Sequence, residues 1–287
     1  MSAAETYAAC VDADLAQRTR LRGPEPAGFR YSQPPDHPLM KVDARRPLEP
    51  NLAIIASYVE HDDVIVDVGG GAGRFSLPLA LRCREVVNVD ASDAMLAGFA
   101  ANAQRAGITN ARAIQANWPD VDPPAGTFGL VNHVTYFTRD IVPFVEKLET
   151  AATRRVLITV GTPQPPSWSR KLYPLIYGEP EAIVPGHVEL VNVLWEMGID
   201  PDVLMLPDTP VQYSAFPTRE GAIQAGLVRI GGEQWARWPL APELETRIRQ
   251  TLEARFENLF VQVEDGYVPG WIDPGREVLI TWEPRPR

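Results

Sequence analysis

The 287 residues are enough for one large α/β domain with insertions, or for a domain plus a cap, and for a substantial core. A hydrophobic fraction of 45% and a charged fraction of 22% are ordinary for a soluble globular chain. The net charge of −10 argues against non-specific binding to nucleic acid, which depends on neutralising phosphates, and the basic runs at Arg18 to Arg22 and at Arg45-Arg46 are short.

In chain order, residues 1–22 read as a helix with apolar Tyr7, Val11 and Leu15 and a basic end. Residues 23–47 form a proline-rich arm carrying Phe29, Tyr31 and Met40. A helix over 48–59 leads to a first strand at 64–68, Val-Ile-Val-Asp-Val, which runs into Gly69-Gly70-Gly71-Ala72-Gly73 and then a helix reaching about Arg82. Strand, glycine turn and helix start in one frame are how an α/β chain builds a nucleotide pocket. Glycine permits positive φ and lets a ligand approach bare backbone, and the first helical turn offers free N–H groups.

The spacing decides which nucleotide. The dinucleotide fingerprint is G-x-G-x-x-G, whereas here Arg74 stands where its third glycine belongs. A phosphate loop would need a following G-K-[ST], which is missing. Residues 85–89 read as a second strand, and Asp90 at its end is placed to accept hydrogen bonds from ribose hydroxyls.

Ser92 caps a helix that stops before Gly107. Strands follow at 111–116 and 128–134. Asp140 opens a helix whose Ile141, Phe144, Val145 and Leu148 repeat at i, i+3, i+4 and i+7, and 155–160 is a fifth strand. Beyond Gly161 the pattern loosens into a proline- and aromatic-rich segment, 162–186, expected to cover the pocket. A helix at 187–197, a strand at 203–206, helices at 218–227 and 242–258, and closing strands at 259–263 and 277–282 complete the chain.

The segments Val66 to Gly73, Val89-Asp90-Ala91-Ser92 with Met95-Leu96, and Ile114-Gln-Ala-Asn-Trp118 resemble the class I S-adenosylmethionine-dependent methyltransferases over roughly residues 50–160. The resemblance implies an α/β fold: a seven-stranded, mostly parallel, doubly wound sheet with an antiparallel last strand. To this are added a helical arm over 1–47 and a loop-rich cover, the domain itself occupying 48–287. It implies S-adenosylmethionine as cofactor and S-adenosylhomocysteine as product. The binding set it implies is Asp67, Gly69, Gly70, Gly71, Gly73, Asp90, Ala91, Met95, Asn117, Trp118 and His133. Asn117 stands where the family commonly has an acid beside adenine; Trp118 and Met95 could equally serve the core.

His133 and Tyr136 fall near the end of the fourth strand, where the family faces the methyl acceptor, and are the catalytic candidates. A histidine, with its ordinary pKa near 6.5, is suited to removing a proton at neutral pH, but it could equally pack or contact the cofactor. His61, Asp62 and Asp63 precede the first strand, at the wrong end of the sheet, and read as a solvated turn. The four histidines have no metal-ligand spacing.

The expected activity is methyl transfer to a small-molecule acceptor, with no nucleic acid and no membrane as partner. The alternatives are a non-catalytic module that binds the same cofactor and, less consistent with Arg74, a nicotinamide oxidoreductase. Cys10 and Cys83 are far apart, which fits a reducing compartment. The N-terminal residues lack the blocks of a signal peptide, and no apolar run approaches a membrane span, so a cytoplasmic location is expected. Nothing in the sequence fixes an oligomeric state.

Overall fold

The computed structural model describes residues 1–24, 40–165, 170–207, 215–231, 241–272 and 275–285. Most of the arm expected over 23–47, and 166–169 of the expected cover, lie outside the described residues.

A seven-stranded sheet organises the chain. Its strands are β1 (Val64–Val68), β2 (Glu85–Asp90), β3 (Ala111–Gln115), β4 (Gly126–Asn132), β5 (Ala152–Thr162), β6 (Asp202–Met205) and β9 (Arg276–Trp282), in the order β3-β2-β1-β4-β5-β9-β6. β1 to β5 pair in parallel, and β9 runs antiparallel to both β5 and β6. The doubly wound architecture expected from the sequence is therefore present. The antiparallel last strand lies between β5 and β6. One detail differs. Residues 260–263 (β7) pair with Gly266–Pro269 (β8) in a separate hairpin.

Alternation along the strands sorts side chains to the two faces. Val64, Val66 and Val68 of β1 join a cluster with α1 (Ala3–Arg22), α5 (Ile141–Ala151) and α7 (His187–Glu196). Ile65, between them, joins the opposite cluster with α2 (Pro50–Ala56), α3 (Ser76–Ala80) and α4 (Asp93–Ala106). Ile141, Phe144, Val145 and Leu148 are all buried, as their spacing predicted. Each such side chain contributes roughly 1.5–3 kcal/mol by leaving water.

α1 docks on this core through Tyr7, whose hydroxyl donates to the carbonyl of Thr135 at 2.6 Å. Asp14 is buried and paired with Arg18, while Leu15 is exposed. A charged pair one turn apart can be placed inward because each partner neutralises the other.

The remaining helices and strands are α6 (Tyr173–Tyr177), α8 (Arg219–Gly231), α9 (Pro242–Ala254), α10 (Phe256–Leu259) and the β7–β8 hairpin. They have a core of their own around Ile223, Leu227, Ile248, Leu252, Phe256 and Trp271. β5 and β6 end, and β9 begins, at the carboxyl end of the parallel strands. The segment from β6 to β9 therefore departs from and returns to the end of the sheet where ligands bind in open α/β folds, and α6 follows β5 as it leaves that end. This unit joins part of the expected 162–186 segment to residues beyond 206.

Candidate active site

The glycine loop follows β1 directly. Gly69, Gly71 and Gly73 have φ of 70°, 54° and 84°, the left-handed region that other residues enter only with strain. The surroundings differ at each glycine. A Cβ at Gly70 would fall 2.1 Å from Asp67 Oδ2, and one at Gly73 would meet Leu77 and Phe99 at 2.6–2.7 Å. At Gly71 the nearest atom would be Met95 Sδ at 3.7 Å. The loop is closely packed at Gly70 and Gly73 and open at Gly71, which leaves room there for a ligand against bare backbone.

The loop is tied from several sides. Asp90 accepts the N–H of Gly71 at 2.9 Å on one carboxylate oxygen and that of Ser92 at 2.8 Å on the other. Burial raises the Asp90 carboxyl above its ordinary range, and these two bonds oppose the rise. Buried Asn88 donates to the Gly71 carbonyl at 2.9 Å. Asn102 of α4 donates to the carbonyls of Ala72 and Met40 and accepts from the N–H of Val42. It thereby sews the end of the N-terminal arm onto the loop. The sequence reading passed over Asn88 and Asn102. Their signal is a polar residue inside the apolar run Val86-Val87-Asn88-Val89, and another on the buried side of an amphipathic helix.

Asp67 lies beneath the loop, fully buried. Burial pushes its carboxyl up to about 7; the nearby Ser76 hydroxyl eases the shift and the charge of Asp90 adds to it. Neither of its oxygens, nor Ser76 Oγ or Asn88 Oδ1, has a well-formed hydrogen bond among the described residues. Orphaned buried polar atoms under an open glycine backbone are consistent with a site completed by a polar ligand.

Ala91 is half-buried. Met95 is buried with Met40, Val42 and Ala72 beside the open loop. Asn117 is exposed and donates to Asp120 at 3.0 Å. Trp118 is buried against Phe144, its indole N–H facing the Phe144 carbonyl at 3.4 Å. Lys147 of α5 donates to the carbonyls of Trp118, Pro119 and Val121 at 2.7–2.9 Å, fixing the turn after β3.

His133 follows β4 with φ of 57°, the sole described non-glycine residue with positive φ. Its ring lies 6.4 Å from that of Phe75, at the end of the glycine loop. The next residue, Val134, packs over Gly69. His133 Nδ1 is 2.9 Å from the Tyr136 hydroxyl, and Nε2 is 2.7 Å from Glu277 Oε1 on β9. Tyr136 is buried, which raises its phenol far above the ordinary range. Its oxygen accepts the N–H of Gly161 at 2.5 Å. Burial works against the Glu277 carboxylate, but the bond and charge of His133, the Asn51 amide and the charge of Arg74 outweigh it and leave the group below its ordinary range. The sequence reading missed Glu277, because it reaches His133 from 144 positions away.

The cluster 61–63 is partly a correction. His61 and Asp62 are solvated, but Asp63 is buried, paired with Arg154 and accepting from Thr127 Oγ1. Arg154 compensates its charge at the end of the sheet away from the glycine loop. Among the described residues no cluster of His, Cys, Asp or Glu could hold a metal ion, and no helix is long and apolar enough to cross a membrane.

Residues 65–152 match the family model described as a methyltransferase domain. An uncharacterized protein of Haemophilus influenzae is 30% identical over 146 residues, which cover 50% of this chain and 53% of that protein. The 23S rRNA (uracil(1939)-C(5))-methyltransferase RlmD of Aeromonas hydrophila is 48% identical over 56 residues, 20% of this chain and 13% of that enzyme. The chain thus spans about half, or less, of the curated relatives it matches. The fold is that of the YcgJ protein from Bacillus subtilis, with a TM-score of 0.53 at 16% identity over 83% of this chain and 99% of that one. A methyltransferase from Geobacter sulfurreducens in complex with S-adenosylhomocysteine superposes with a TM-score of 0.50 at 14% identity over 87% and 95%.

The matches to a ribosomal RNA enzyme correct one expectation: the exclusion of nucleic acid as a partner, drawn from net charge, does not stand. Net charge averages over the whole surface, whereas a base can be presented to a pocket by local contacts. The match over residues 65–152 and the sheet order together support a methyltransferase domain of Rossmann-like fold.

Proposed function

We propose that this chain transfers a methyl group from S-adenosylmethionine to an acceptor that enters beside His133. The observation that carries the reading is the open, positive-φ backbone at Gly71 clamped to Asp90 at the end of β2. The group to be bound supplies an electrophilic methyl on a sulfonium. In this reading Gly69 to Gly73 give it bare backbone, Asp90 receives ribose hydroxyls, Met95 and Ala91 line its side, and Asn117 and Trp118 border the adenine.

His133 is the proposed base where the acceptor must lose a proton. The acceptor's proton passes to Nδ1, and its electron pair attacks the methyl carbon as the carbon–sulfur bond breaks toward sulfur. Tyr136 must turn its own proton away from Nδ1 for this to happen. Alignment of the two reactants can supply roughly 7–11 kcal/mol of the barrier reduction, so an acceptor that is already a good nucleophile would need no base.

Two acceptor classes have support. The unit covering the carboxyl end of the sheet has a compact apolar core, which favours a small acceptor in a partly closed pocket. The RlmD matches favour an RNA base. They fall on short stretches, 20% of this chain and 13% of the Aeromonas hydrophila enzyme.

Calorimetry with S-adenosylhomocysteine tests the cofactor reading, with micromolar or tighter binding expected. Methyl transfer from labelled cofactor to ribosomal RNA fragments and to a small-molecule panel separates the two acceptors. Tight binding without transfer to any acceptor would favour the non-catalytic module.

A further inference from the structure

The hydrogen bonds around His133 have one consistent direction. The Gly161 N–H donates to the Tyr136 oxygen, so the phenolic proton is free to point at His133 Nδ1. Nδ1 then accepts, and Nε2 carries the ring proton and donates it to Glu277 Oε1 at 2.7 Å. Asn51, at the start of α2, donates its amide to Glu277 Oε2 at 2.6 Å, so both carboxylate oxygens are engaged. The chain of contacts links α2, β9, the end of β4 and the end of β5, elements that only the closed sheet brings together. The His133 side chain remains 36% exposed, against 23% for Glu277, so the imidazole is the member of the pair more open to an acceptor.

We propose that Glu277 is a positioning residue for methyl transfer: seated by Asn51, it holds His133 as the Nε2–H tautomer, leaves Nδ1 as the accepting nitrogen, and balances the imidazolium formed when Nδ1 takes a proton. The proposal rests on the reading of this chain as a methyltransferase that uses His133 as base. Proton balance is simple. The Tyr136 hydroxyl turns its proton away from Nδ1, the acceptor's proton ends on Nδ1, the Nε2 proton stays in its bond to Glu277, and the carboxylate stays ionised throughout. A carboxylate behind an imidazole fixes tautomer and orientation and stabilises the cation without itself taking the proton. The positive φ of His133 fits the same account, because a strained backbone persists where its surroundings over-determine it.

The test has an arm that needs no acceptor. Nitrogen-15 spectra of the ring in the full chain should show His133 protonated at Nε2 and bare at Nδ1. Glu277→Ala should mix the two tautomers, and Tyr136→Phe should leave Nε2 protonated. A wild-type ring protonated at Nδ1 would overturn the proposal whatever the activity shows.

The second arm is kinetic. Glu277→Gln can still accept from Nε2 but carries no charge. It should lower kcat by about 10²-fold or more, within the range of acid–base contributions, with S-adenosylhomocysteine affinity within about twofold of wild type. The rising limb of its pH–rate profile should move to lower pH, because removing an anion beside the imidazole disfavours the cation. The other groups facing the pair are Arg74, Asn51 and Tyr136, and they are unchanged in that variant. A Glu277→Gln variant with wild-type kcat and an unmoved limb would also overturn the proposal, as would a loss confined to melting temperature. Absence of turnover in wild type would instead remove the methyltransferase reading, with the tautomer arm still deciding the role of Glu277.

Discussion

Asp90 holds Gly71: a carboxylate at the end of β2 accepts the N–H of the loop glycine at 2.9 Å, 19 positions earlier in the chain. The residue expected to meet a ribose therefore also sets the shape of the loop that would meet the rest of the ligand. Asp90→Ala should weaken S-adenosylhomocysteine binding by about 1.5–3 kcal/mol, the range for hydrogen bonds to a charged group. Asp90→Asn keeps one acceptor and should fall between. Calorimetry checks both, and an unchanged dissociation constant in the alanine variant would place the ribose contact elsewhere.

The glycines should separate fold from binding. Gly71→Val puts a branched side chain into the open side of the loop at φ of 54°, and should abolish cofactor binding while the sheet still forms. Gly70→Ala drives a methyl onto Asp67, and should cost stability by about 1–3 kcal/mol before any ligand is added. Melting curves with and without S-adenosylhomocysteine distinguish the two outcomes.

Asp67 should make stability fall as pH rises. Its folded-state pKa is raised from 3.8 to about 7 by burial, so the folded protein binds the proton more tightly than the unfolded chain between those values. The cost of ionising it is absent below about pH 4, grows through the window, and is complete above pH 7. Asp67→Asn removes that cost. Its stability gain over wild type should appear as pH rises from 4 to 8 in urea titrations, reaching on the order of a few kcal/mol. A constant difference across that window would show that Asp67 does not titrate there.

Asp63 has the opposite sign. Burial opposes its charge, but the bonds from Arg154, Thr127 and the Glu60 N–H prevail and hold its carboxyl below the ordinary range. Its contribution is present above about pH 4 and is lost as pH falls further. Arg154→Ala leaves Asp63 unpaired at the closed end of the sheet and should cost about 2–4 kcal/mol, somewhat less than for a wholly buried pair because Arg154 is 30% exposed. Equilibrium unfolding reads this directly, and cofactor affinity should be unchanged.

Trp118 tests the division between core and site. Trp118→Ala should destabilise by about 3–5 kcal/mol through loss of its contact with Phe144. Trp118→Phe should restore most stability. Affinity for S-adenosylhomocysteine then reports any contact with adenine: a tenfold or greater loss in the phenylalanine variant would give Trp118 a binding role beyond packing.

The glycine loop, Asp90 and the α5 repeat were legible because each is a local pattern. Positive-φ turns favour glycine, strand ends follow from apolar runs, and Ile141, Phe144, Val145 and Leu148 carry a helical period. Which face of α1 turns inward was not legible: Asp14, paired with Arg18, is buried and Leu15 is exposed. The covering unit was under-read. Its core draws on residues from 172 to 272, and no single stretch of it shows more than ordinary helical spacing.

By itself the sequence determined the order of strands and helices, the loop that ends β1, and the acid that ends β2, since backbone sterics and hydrophobic period act over a few residues. Tertiary structure alone decided that β9 enters between β5 and β6. That insertion brings Glu277 to His133, and the same closure seats Asn51 on Glu277 and Tyr136 on Gly161. These pairings join residues far apart in the chain. They exist because the sheet closes in one order, and a hydrogen bond between distant residues has no local signature to read.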